Sequence, residues 1–350
     1  MIYPAGAHNG LGDVPGLRIG HFDRREQGYL TGTTVILGPG GGMTTGVDVR
    51  GGAPGTRETD LLHPTASIQR VHAIVLTGGS AYGLSAACGV AEALGAAGIG
   101  FCVGEPGEVV PIVPTAVLFD LGRGGSFGFR PGPAFGSAAV AAALGGGSDA
   151  SMGSVGAGTG AVTAGLKGGL GVASAVLPDG SAVAALVVAN AAGSPVDPRS
   201  GELLGARNLL PEDFPALSPP TPAERDAVLA ADHGPQLRAA TPPLTNTSIG
   251  LVATTASLTK AQCTKMAATA HDGLARALNP VHTQFDGDTL FGVSDNSGPA
   301  PDDMGFHHLL CAAADVVTRA LVRGLLSARR TVTPAGTWPG YLDLAPTVRG

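Results

Sequence analysis

The bond between Asn246 and Thr247 joins a polar, proline-rich stretch to an apolar run that begins at Ile249. In an intact chain Thr247 is an ordinary strand-edge residue, and Asn246, Thr247 and Ser248 also match a glycosylation signal of secreted proteins. If the chain is cut before Thr247, that residue gains a free α-amine, whose pKa in reference peptides is ~7.7–8.0. One residue then supplies both a hydroxyl nucleophile and the general base that activates it. The sequence therefore offers Thr247 as a nucleophile that a cut would release.

A pair of acids, Asp286 and Asp288, flanks Gly287 just before another apolar run. In an extended chain, residues two apart point to the same side, so both carboxylates can face one site. Two carboxylates so close repel each other unless cations or hydrogen bonds compensate. By itself the triplet is also typical of a turn or of part of a calcium-binding loop.

Two further polar residues interrupt small-residue or apolar runs. Lys167 lies in a glycine- and alanine-rich stretch, and the other two lysines of the chain, Lys260 and Lys265, lie together further on. A lysine in such a place can also bury its stem and keep its ammonium at the surface. Asn190 ends the apolar run 183–189, where an asparagine is equally typical of a turn or a helix cap.

Residues 78–82, with the sequence GGSAY, follow a predicted strand and precede a predicted helix, as a G-x-S-x-G nucleophile elbow does. The fifth position is Tyr82 rather than glycine, so the elbow pattern fails. We interpret the stretch as a strand–helix turn that lines a substrate pocket.

Two other patterns imitate binding motifs. Gly156, Gly158 and Ala161, with Asp179 beyond them, resemble a dinucleotide fingerprint, but the residues before them make a poor buried strand. A second group is spaced like metal ligands on a helix, and no HExxH motif or second cluster accompanies it: His307, His308 and Cys311. We expect packing roles for this group, and no metal site or cofactor.

Seven stretches, in this order, resemble the self-processing L-aminopeptidase/D-amidase-esterase (DmpA-like) family, which includes nylon-oligomer endohydrolases and mycobacterial aminopeptidases. The resemblance runs from about residue 14 to about residue 325 and is greatest to the mycobacterial-type members. Its specificity lies in the agreement of several long motifs: VPGLRIGH (14–21), VDVRGGAPGTRETDLL (47–62), LTGGSAYGL (76–84), VPIVPTAVLFDL (110–121), KGGLGVASAVL (167–177), VVANAAGSPVDP (187–198) and the segment 246–291.

The resemblance implies a self-cleavage between Asn246 and Thr247, which divides one 1–350 domain into an α fragment, 1–246, and a β fragment, 247–350. Thr247 would then be the catalytic nucleophile. Asp286 and Asp288 would orient its amine and hydroxyl, although some members carry Ser-x-Glu at that place.

The same resemblance implies that Asn190 donates its amide to the oxyanion. Lys167 would lie near the nucleophile and stabilise either the oxyanion or the ionised acids. Phe119 stands where several members carry a tyrosine whose phenol assists near the scissile carbonyl, so a backbone N–H or a water would have to replace that donor. Tyr82 and Phe119 are therefore predicted to line the substrate pocket.

Composition excludes several classes of function. The net charge is −6 with acids and bases interspersed, which argues against a nucleic-acid or anionic-membrane partner. Residues 1–15 lack a signal-peptide pattern, and the four cysteines show no CxxC spacing, so we expect a reducing cytoplasmic location. The resemblance implies self-association into a tetramer of α/β heterodimers.

The predicted elements form alternating blocks of strands and helices. Strand-like runs are Thr33–Leu37, His72–Leu76, Val172–Val176 and Val183–Val188, and helix-like runs are 82–97, 136–144, 260–278 and 305–328. Strands flanked by helices on both outer sides favour a layered α/β sandwich. The resemblance implies an αββα four-layer sandwich, DmpA- and ornithine-acetyltransferase-like, resembling the N-terminal-nucleophile hydrolases.

Two local predictions accompany these elements. In the 260–278 helix, Thr259 and Gln262 fit a capping box, and Asp272 can pair with Arg276 one turn on. The polar stretch 196–244 is expected to be a surface excursion that leads to the cut.

The function that these observations favour is a self-cleaving hydrolase of small peptides or amides with a free amino terminus. Three alternatives stay open: an endo-amidase acting on 6-aminohexanoate oligomers, an uncleaved inactive relative with a binding or structural role, and an acetyltransferase of related fold. The last would need an acceptor site that the sequence does not reveal.

Overall fold

The structure is a computed structural model and describes residues 2–146, 151–214, 216–232 and 246–349. Its strands are β1 (Arg18–Arg24), β2 (Thr31–Leu37), β3 (Thr44–Val49), β4 (Thr56–Arg57), β5 (Ala73–Thr77), β6 (Phe101–Cys102), β7 (Val109–Val110), β8 (Thr115–Val117), β9 (Val162–Thr163), β10 (Leu166–Lys167), β11 (Gly169–Val176), β12 (Ala182–Ala189), β13 (Ile249–Thr254), β14 (Thr289–Ser294), β15 (Thr331–Thr333) and β16 (Gly336–Trp338). Its α-helices are α1 (Ser80–Gly83), α2 (Ala86–Ala96), α3 (Pro133–Leu144), α4 (Pro222–Asp232), α5 (Lys260–Ala277), α6 (Asp303–Ser327) and α7 (Tyr341–Leu344).

Two five-stranded sheets form the centre of the fold, and both have the same pattern of strand directions. The first has the order β1-β2-β5-β8-β4 and the second the order β11-β12-β13-β14-β3. In each sheet one parallel pair, β5 with β8 and β13 with β14, lies among antiparallel pairs. Each parallel pair is joined by a long crossover, which contains α1 and α2 in the first sheet and α5 in the second, as is usual for parallel strands.

Alternating side chains divide the interior into three apolar layers. On β2, Ile36 points into the space between the sheets, while Val35 and Leu37 pack against α2 and α3. On β12, Leu186 points between the sheets and Val187 packs against α5 and α6. The order of layers is therefore helix, sheet, sheet, helix, and the predicted αββα sandwich is confirmed.

Strand glycines allow the outer helices to approach the second sheet closely. A Cβ at Gly171 would lie 2.0 Å from the carbonyl oxygen of Ala320 on α6. A Cβ at Gly292 would lie 2.0 Å from the carbonyl oxygen of Cys263 on α5. The high glycine and alanine content thus serves close helix–sheet packing.

Helix α5 shows how local sequence sets an element. Thr259 caps it in the expected capping box with Gln262, and its apolar stripe is buried. The predicted pair of Asp272 with Arg276 is wrong, because Arg276 pairs with Asp315 on α6 at 2.5 Å. The predicted 82–97 helix is also divided, into α1 and α2.

The stretch 196–244 is less superficial than the sequence predicts. Leu203 and Val228 are buried in the core between the second sheet and its helices. Asp213 forms a buried ion pair with Arg319 of α6, with a separation of 2.6 Å between Oδ2 and Nε. The prediction of a surface excursion is therefore wrong for these residues, while 215 and 233–244 lie outside the described part.

Candidate active site

The register of the second sheet brings the predicted site residues to one edge. Val188 of β12 pairs with Ile249 of β13, and Ile249 pairs with Thr289 of β14. Residues just outside these pairs therefore meet: Asn190 after β12, Thr247 before β13 and Asp288 before β14. Asn190, Asp288 and Thr247 are at most 5% exposed.

Two short hydrogen bonds hold Thr247 in place, one from its backbone N–H and one from its hydroxyl. Its backbone N–H donates to the carbonyl oxygen of Asn190 at 2.6 Å. Its hydroxyl donates to the carbonyl oxygen of Asn246 at 2.5 Å. A Cβ at Gly287 would lie 2.8 Å from Thr247 Oγ1, so this glycine leaves the space that the hydroxyl occupies. The hydroxyl is thus directly beside the carbonyl group that it would attack.

The two acids hold the chain segments that flank the nucleophile. Asp288 Oδ1 accepts from the backbone N–H of Ser248 at 2.8 Å. Asp286 Oδ1 accepts from the N–H of Ala192 at 3.1 Å, and its Oδ2 accepts from the N–H and hydroxyl of Thr283. Both acids therefore act on Thr247 and Asn190 through the adjacent backbone, and their role in orienting a free amine stays a prediction.

His282 is a site residue that the sequence analysis missed. Its Nδ1 lies 2.8 Å from Asp288 Oδ2, and its backbone has a φ of +56°, a left-handed value uncommon for histidine. Its ring also stands edge-on to that of His271, with 4.7 Å between centroids. Because His282 is six residues before Asp288 in an irregular loop, no periodic pattern marks the contact.

Arg123 is a second residue that was missed, and it contacts Asn190 directly. Its Nη1 donates to Asn190 Oδ1 and to the carbonyl oxygen of Gly160, both at 2.6 Å. Its Nη2 lies 3.5 Å from Asn246 Oδ1. The available sequence signal was an isolated arginine three residues after Asp120 in a glycine-rich stretch.

Lys167 has different partners from those expected. Its fully buried ammonium donates to the carbonyl oxygens of Gly158, Ala161 and Gly168 at 3.1, 2.8 and 2.8 Å. Neither the expectation that it compensates Asp286 and Asp288 nor the expectation that it binds the oxyanion is supported by these contacts, because all three of its N–H groups donate to backbone carbonyls. It instead braces the turn that contains Gly160, the acceptor of Arg123. Its burial also excludes the alternative in which the Lys167 ammonium lies at the protein surface.

Three buried charges lie together behind Asn190. Burial raises the pKa of Asp120 to about 6, although Thr31, Arg123 and Lys167 oppose the rise. Burial also lowers the pKa of Lys167 to about 7 and that of Arg123 to about 10.

The hydrogen bonds of Lys167 favour its charged form. Its side-chain nitrogen donates three hydrogen bonds, and only the ammonium form has three N–H groups.

Phe119 and Tyr82 lie on the side of the first sheet. The carbonyl oxygen of Phe119 is 3.4 Å from Asn190 Nδ2, which places this residue beside the site. Tyr82 is 55% exposed, and the Arg130 guanidinium lies 3.7 Å above its ring. Substrate contact by either side chain stays a prediction.

The three stretches that imitate known motifs make ordinary structural contacts. In the 78–82 stretch, Gly78 and Gly79 form the β5–α1 turn and the rest begins α1; Gly79 has a φ of +87°, and its N–H donates to Asp120 Oδ1. Gly156–Gly158 form a 3-10 turn that leads to β9 rather than to a helix. His308 bonds Tyr3 through Nδ1 at 2.8 Å, and His307 contacts Cys311.

In the part of the chain that the structure describes, no helix has both the length and the apolar character needed to cross a membrane.

Comparisons with known proteins agree with this arrangement. The profile of Peptidase family S58 matches residues 9–338. An uncharacterized aminopeptidase of Mycobacterium tuberculosis is 44% identical over 359 residues, which cover 98% of this chain and 99% of that protein. A 6-aminohexanoate-oligomer endohydrolase of Paenarthrobacter ureafaciens is 31% identical over 302 residues, which cover 84% of this chain and 77% of that protein.

Two solved structures share the fold over almost the whole chain. A Burkholderia sp. beta-aminopeptidase has a TM-score of 0.72 at 22% identity and covers 100% of this chain and 96% of its own. The L-aminopeptidase D-Ala-esterase/amidase of Ochrobactrum anthropi, described as a variant of the Ntn hydrolase fold, has a TM-score of 0.69 at 21% identity, with 98% and 94% covered.

The fold is thus the one shared with these two structures. The chain belongs to Peptidase family S58 and is a hydrolase of amide bonds. The family resemblance drawn from the sequence motifs is confirmed.

Proposed function

We propose that the chain cleaves itself between Asn246 and Thr247 and that Thr247 then hydrolyses small peptides or amides with a free amino terminus. The observation that carries the proposal is the position of Thr247, whose hydroxyl lies 2.5 Å from the carbonyl oxygen of Asn246. The bond to the carbonyl of Asn190 fixes the backbone on the other side.

Self-cleavage begins when Thr247 Oγ attacks the carbonyl carbon of Asn246. The peptide C–N bond breaks, a proton passes to the nitrogen, and an ester joins the Asn246 carbonyl to Thr247 Oγ. Water then hydrolyses the ester, which leaves a carboxylate on Asn246 and an amine on Thr247. Asn190 Nδ2 is the group we assign to the oxyanion of each tetrahedral intermediate.

Turnover repeats the same chemistry on a substrate. The Thr247 amine takes the hydroxyl proton as Oγ attacks the substrate carbonyl, and it returns a proton to the departing amine. Water hydrolyses the resulting acyl-enzyme. Asp288 keeps Thr247 in register through Ser248, and Asp286 does the same for Asn190 through Ala192.

The two fragments would remain together after the cut. β12 lies upstream of the bond, β13 lies downstream, and they pair antiparallel over six residues. The β fragment also supplies α5 and α6, which cover the second sheet. We therefore propose a permanent α/β heterodimer, and a tetramer of such heterodimers with a mass of about 140 kDa, four times 34.4 kDa.

The substrate class follows the relatives named aminopeptidases, at 44% identity, ahead of the oligomer endohydrolases, at 31%. An aminopeptidase needs a free amino group on its substrate, whereas an endo-amidase accepts a blocked one. Matched substrates with and without an N-acetyl group therefore separate the two activities.

Intact-mass spectrometry of the purified protein tests the first step. We expect fragments of about 24 and 10 kDa, in proportion to 246 and 104 of the 350 residues. A chain that stays whole after prolonged incubation and hydrolyses nothing would instead be an inactive relative.

A panel of 4-nitroanilides tests the second step, with L- and D-amino acids, β-alanine and 6-aminohexanoate as acyl groups. Substrates with a free amino group should be hydrolysed, and the same substrates with an N-acetyl group should not. Equal rates on both would favour the endo-amidase.

A further inference from the structure

Arg123 occupies a position that the proposed mechanism does not yet use. It follows β8 in a glycine-rich loop and is 8% exposed. One guanidinium nitrogen, Nη1, donates to both Gly160 O and Asn190 Oδ1 at 2.6 Å. This buried cation therefore binds the side chain to which the oxyanion role is assigned.

The contacts of Asn190 leave its amide with one orientation. Oδ1 accepts from Arg123 and also from the N–H of Val162 at 3.0 Å. A guanidinium and a backbone N–H can only donate, so a flipped amide would place its NH₂ group against two donors. Nδ2 must face the opposite way, where the carbonyl of Phe119 is 3.4 Å distant. A contact that long engages Nδ2 weakly and leaves it free to donate elsewhere.

We propose that Arg123 is a positioning residue that fixes the Asn190 amide so that Nδ2 faces the carbonyl under attack. This inference rests on the proposed function. It applies to self-cleavage and to turnover alike, because both use the same nucleophile and the same oxyanion donor.

Two further observations fit this role. Nη2 of Arg123 lies 3.5 Å from Asn246 Oδ1, so the guanidinium contacts both Asn190 and the residue whose carbonyl is attacked in self-cleavage. Asp120 opposes the effect of burial on Arg123, whose pKa is about 10, so the side chain stays charged near neutral pH.

The test compares Arg123→Met with Arg319→Met, a matched control. Arg319 is also buried and hydrogen-bonded, but its partners are Asp213, Asn9 and the carbonyl of Ser174, away from the site. Self-cleavage is followed by pulse–chase during cell-free synthesis, and kcat and KM are measured on the best 4-nitroanilide once processing is complete.

Loss of an entire oxyanion donor lowers kcat by ~10²–10³, so loss of its positioning partner should slow both reactions by about 10- to 100-fold. KM should stay within about twofold, since Arg123 acts through Asn190 and not on the substrate. Arg319→Met should lower Tm and leave both rates of the folded protein unchanged.

Arg123→Lys provides a variant that keeps the charge. A single ammonium cannot reproduce the planar fork, so we expect rates between those of wild type and Arg123→Met. If Arg123→Met does not fold, wild-type rates in Arg123→Lys overturn the proposal.

Three other results for Arg123→Met would also overturn it. The first is self-cleavage at the wild-type rate. The others are an unchanged kcat together with either a lower Tm or a higher KM. A wild-type chain that neither cleaves itself nor hydrolyses the panel would overturn the proposed function, and this inference with it. Wild-type activity with an unaffected Arg123→Met would overturn this inference alone.

Discussion

The backbone N–H of Thr247 donates to the carbonyl oxygen of Asn190 at 2.6 Å, across the edge where β12 pairs with β13. Because the ladder fixes both residues, the hydroxyl of Thr247 and the amide of Asn190 are positioned by the same backbone register. The Asn190 side chain is then fixed by Arg123 and Val162.

Thr247→Ala should abolish both self-cleavage and amide hydrolysis, because one hydroxyl performs both attacks. Thr247→Ser keeps a hydroxyl and should retain measurable activity in each. Intact mass and 4-nitroanilide assays report the two reactions separately. Wild-type hydrolysis by the alanine variant would show that another residue is the nucleophile.

Gly287→Ala should impair self-cleavage at least about tenfold by displacing the Thr247 hydroxyl. The added Cβ would lie 2.8 Å from Thr247 Oγ1 and 2.5 Å from the carbonyl oxygen of Ala53. Overpacking of this kind also costs about 1–3 kcal/mol of stability. Gly40→Ala is the matched control, since nothing lies within 4 Å of its Cβ. Equal self-cleavage rates in the two variants would contradict the prediction.

Asp120 should make stability fall as pH rises from about 4 to about 6. Burial raises its pKa from 3.8 to about 6, so the folded state binds the extra proton in this range. The stabilisation is complete below the unfolded pKa and is lost as pH rises through the folded pKa. About two pKa units correspond to roughly 3 kcal/mol.

Urea unfolding at pH 4 to 7 measures this effect in the uncut Thr247→Ala background, where unfolding stays unimolecular. Asp120→Asn keeps the oxygen that accepts from Gly79 and removes the titration. The difference between the two curves isolates Asp120 from other groups. Parallel curves for both proteins would show that Asp120 is ionised throughout.

The sequence predicted well the features that depend only on neighbouring residues. The capping box at Thr259 and the apolar stripe of α5 are properties of neighbouring residues, and the structure has both. Strand pairing is not local, and the meeting of Asn190, Thr247 and Asp288 was implied by the family resemblance and not by any local pattern. The family motifs, rather than periodicity, supplied the four-layer order.

Buried charges were the least predictable part of the site. Arg123 and Asp120 are single charged residues in a glycine-rich loop, and only the packing of distant segments makes them buried. The same holds for Asp213, whose ion pair with Arg319 draws part of the 196–244 stretch into the core. Lys167 was singled out correctly as unusual, but its acceptors are carbonyls in a turn whose shape the sequence does not reveal.

Lys167→Met should reduce both stability and turnover, whereas Lys260→Met should reduce stability alone. Each ammonium donates to three backbone carbonyls, those of Gly158, Ala161 and Gly168 for Lys167 and those of Leu61, Ala66 and Ile68 for Lys260. Carbonyls left without a donor cost about 1–3 kcal/mol each when they stay buried. Both variants should therefore unfold at lower temperature or urea concentration.

Only the turn held by Lys167 leads to the site, because Gly160 O accepts from Arg123 and the N–H of Val162 donates to Asn190. Loosening that turn should disturb the Asn190 amide and lower kcat per folded molecule by about tenfold, with KM little changed. Assays well below the melting temperature of both variants, with the folded fraction measured by circular dichroism, separate the two effects. An equal kcat for folded Lys167→Met and Lys260→Met would make Lys167 a purely structural residue.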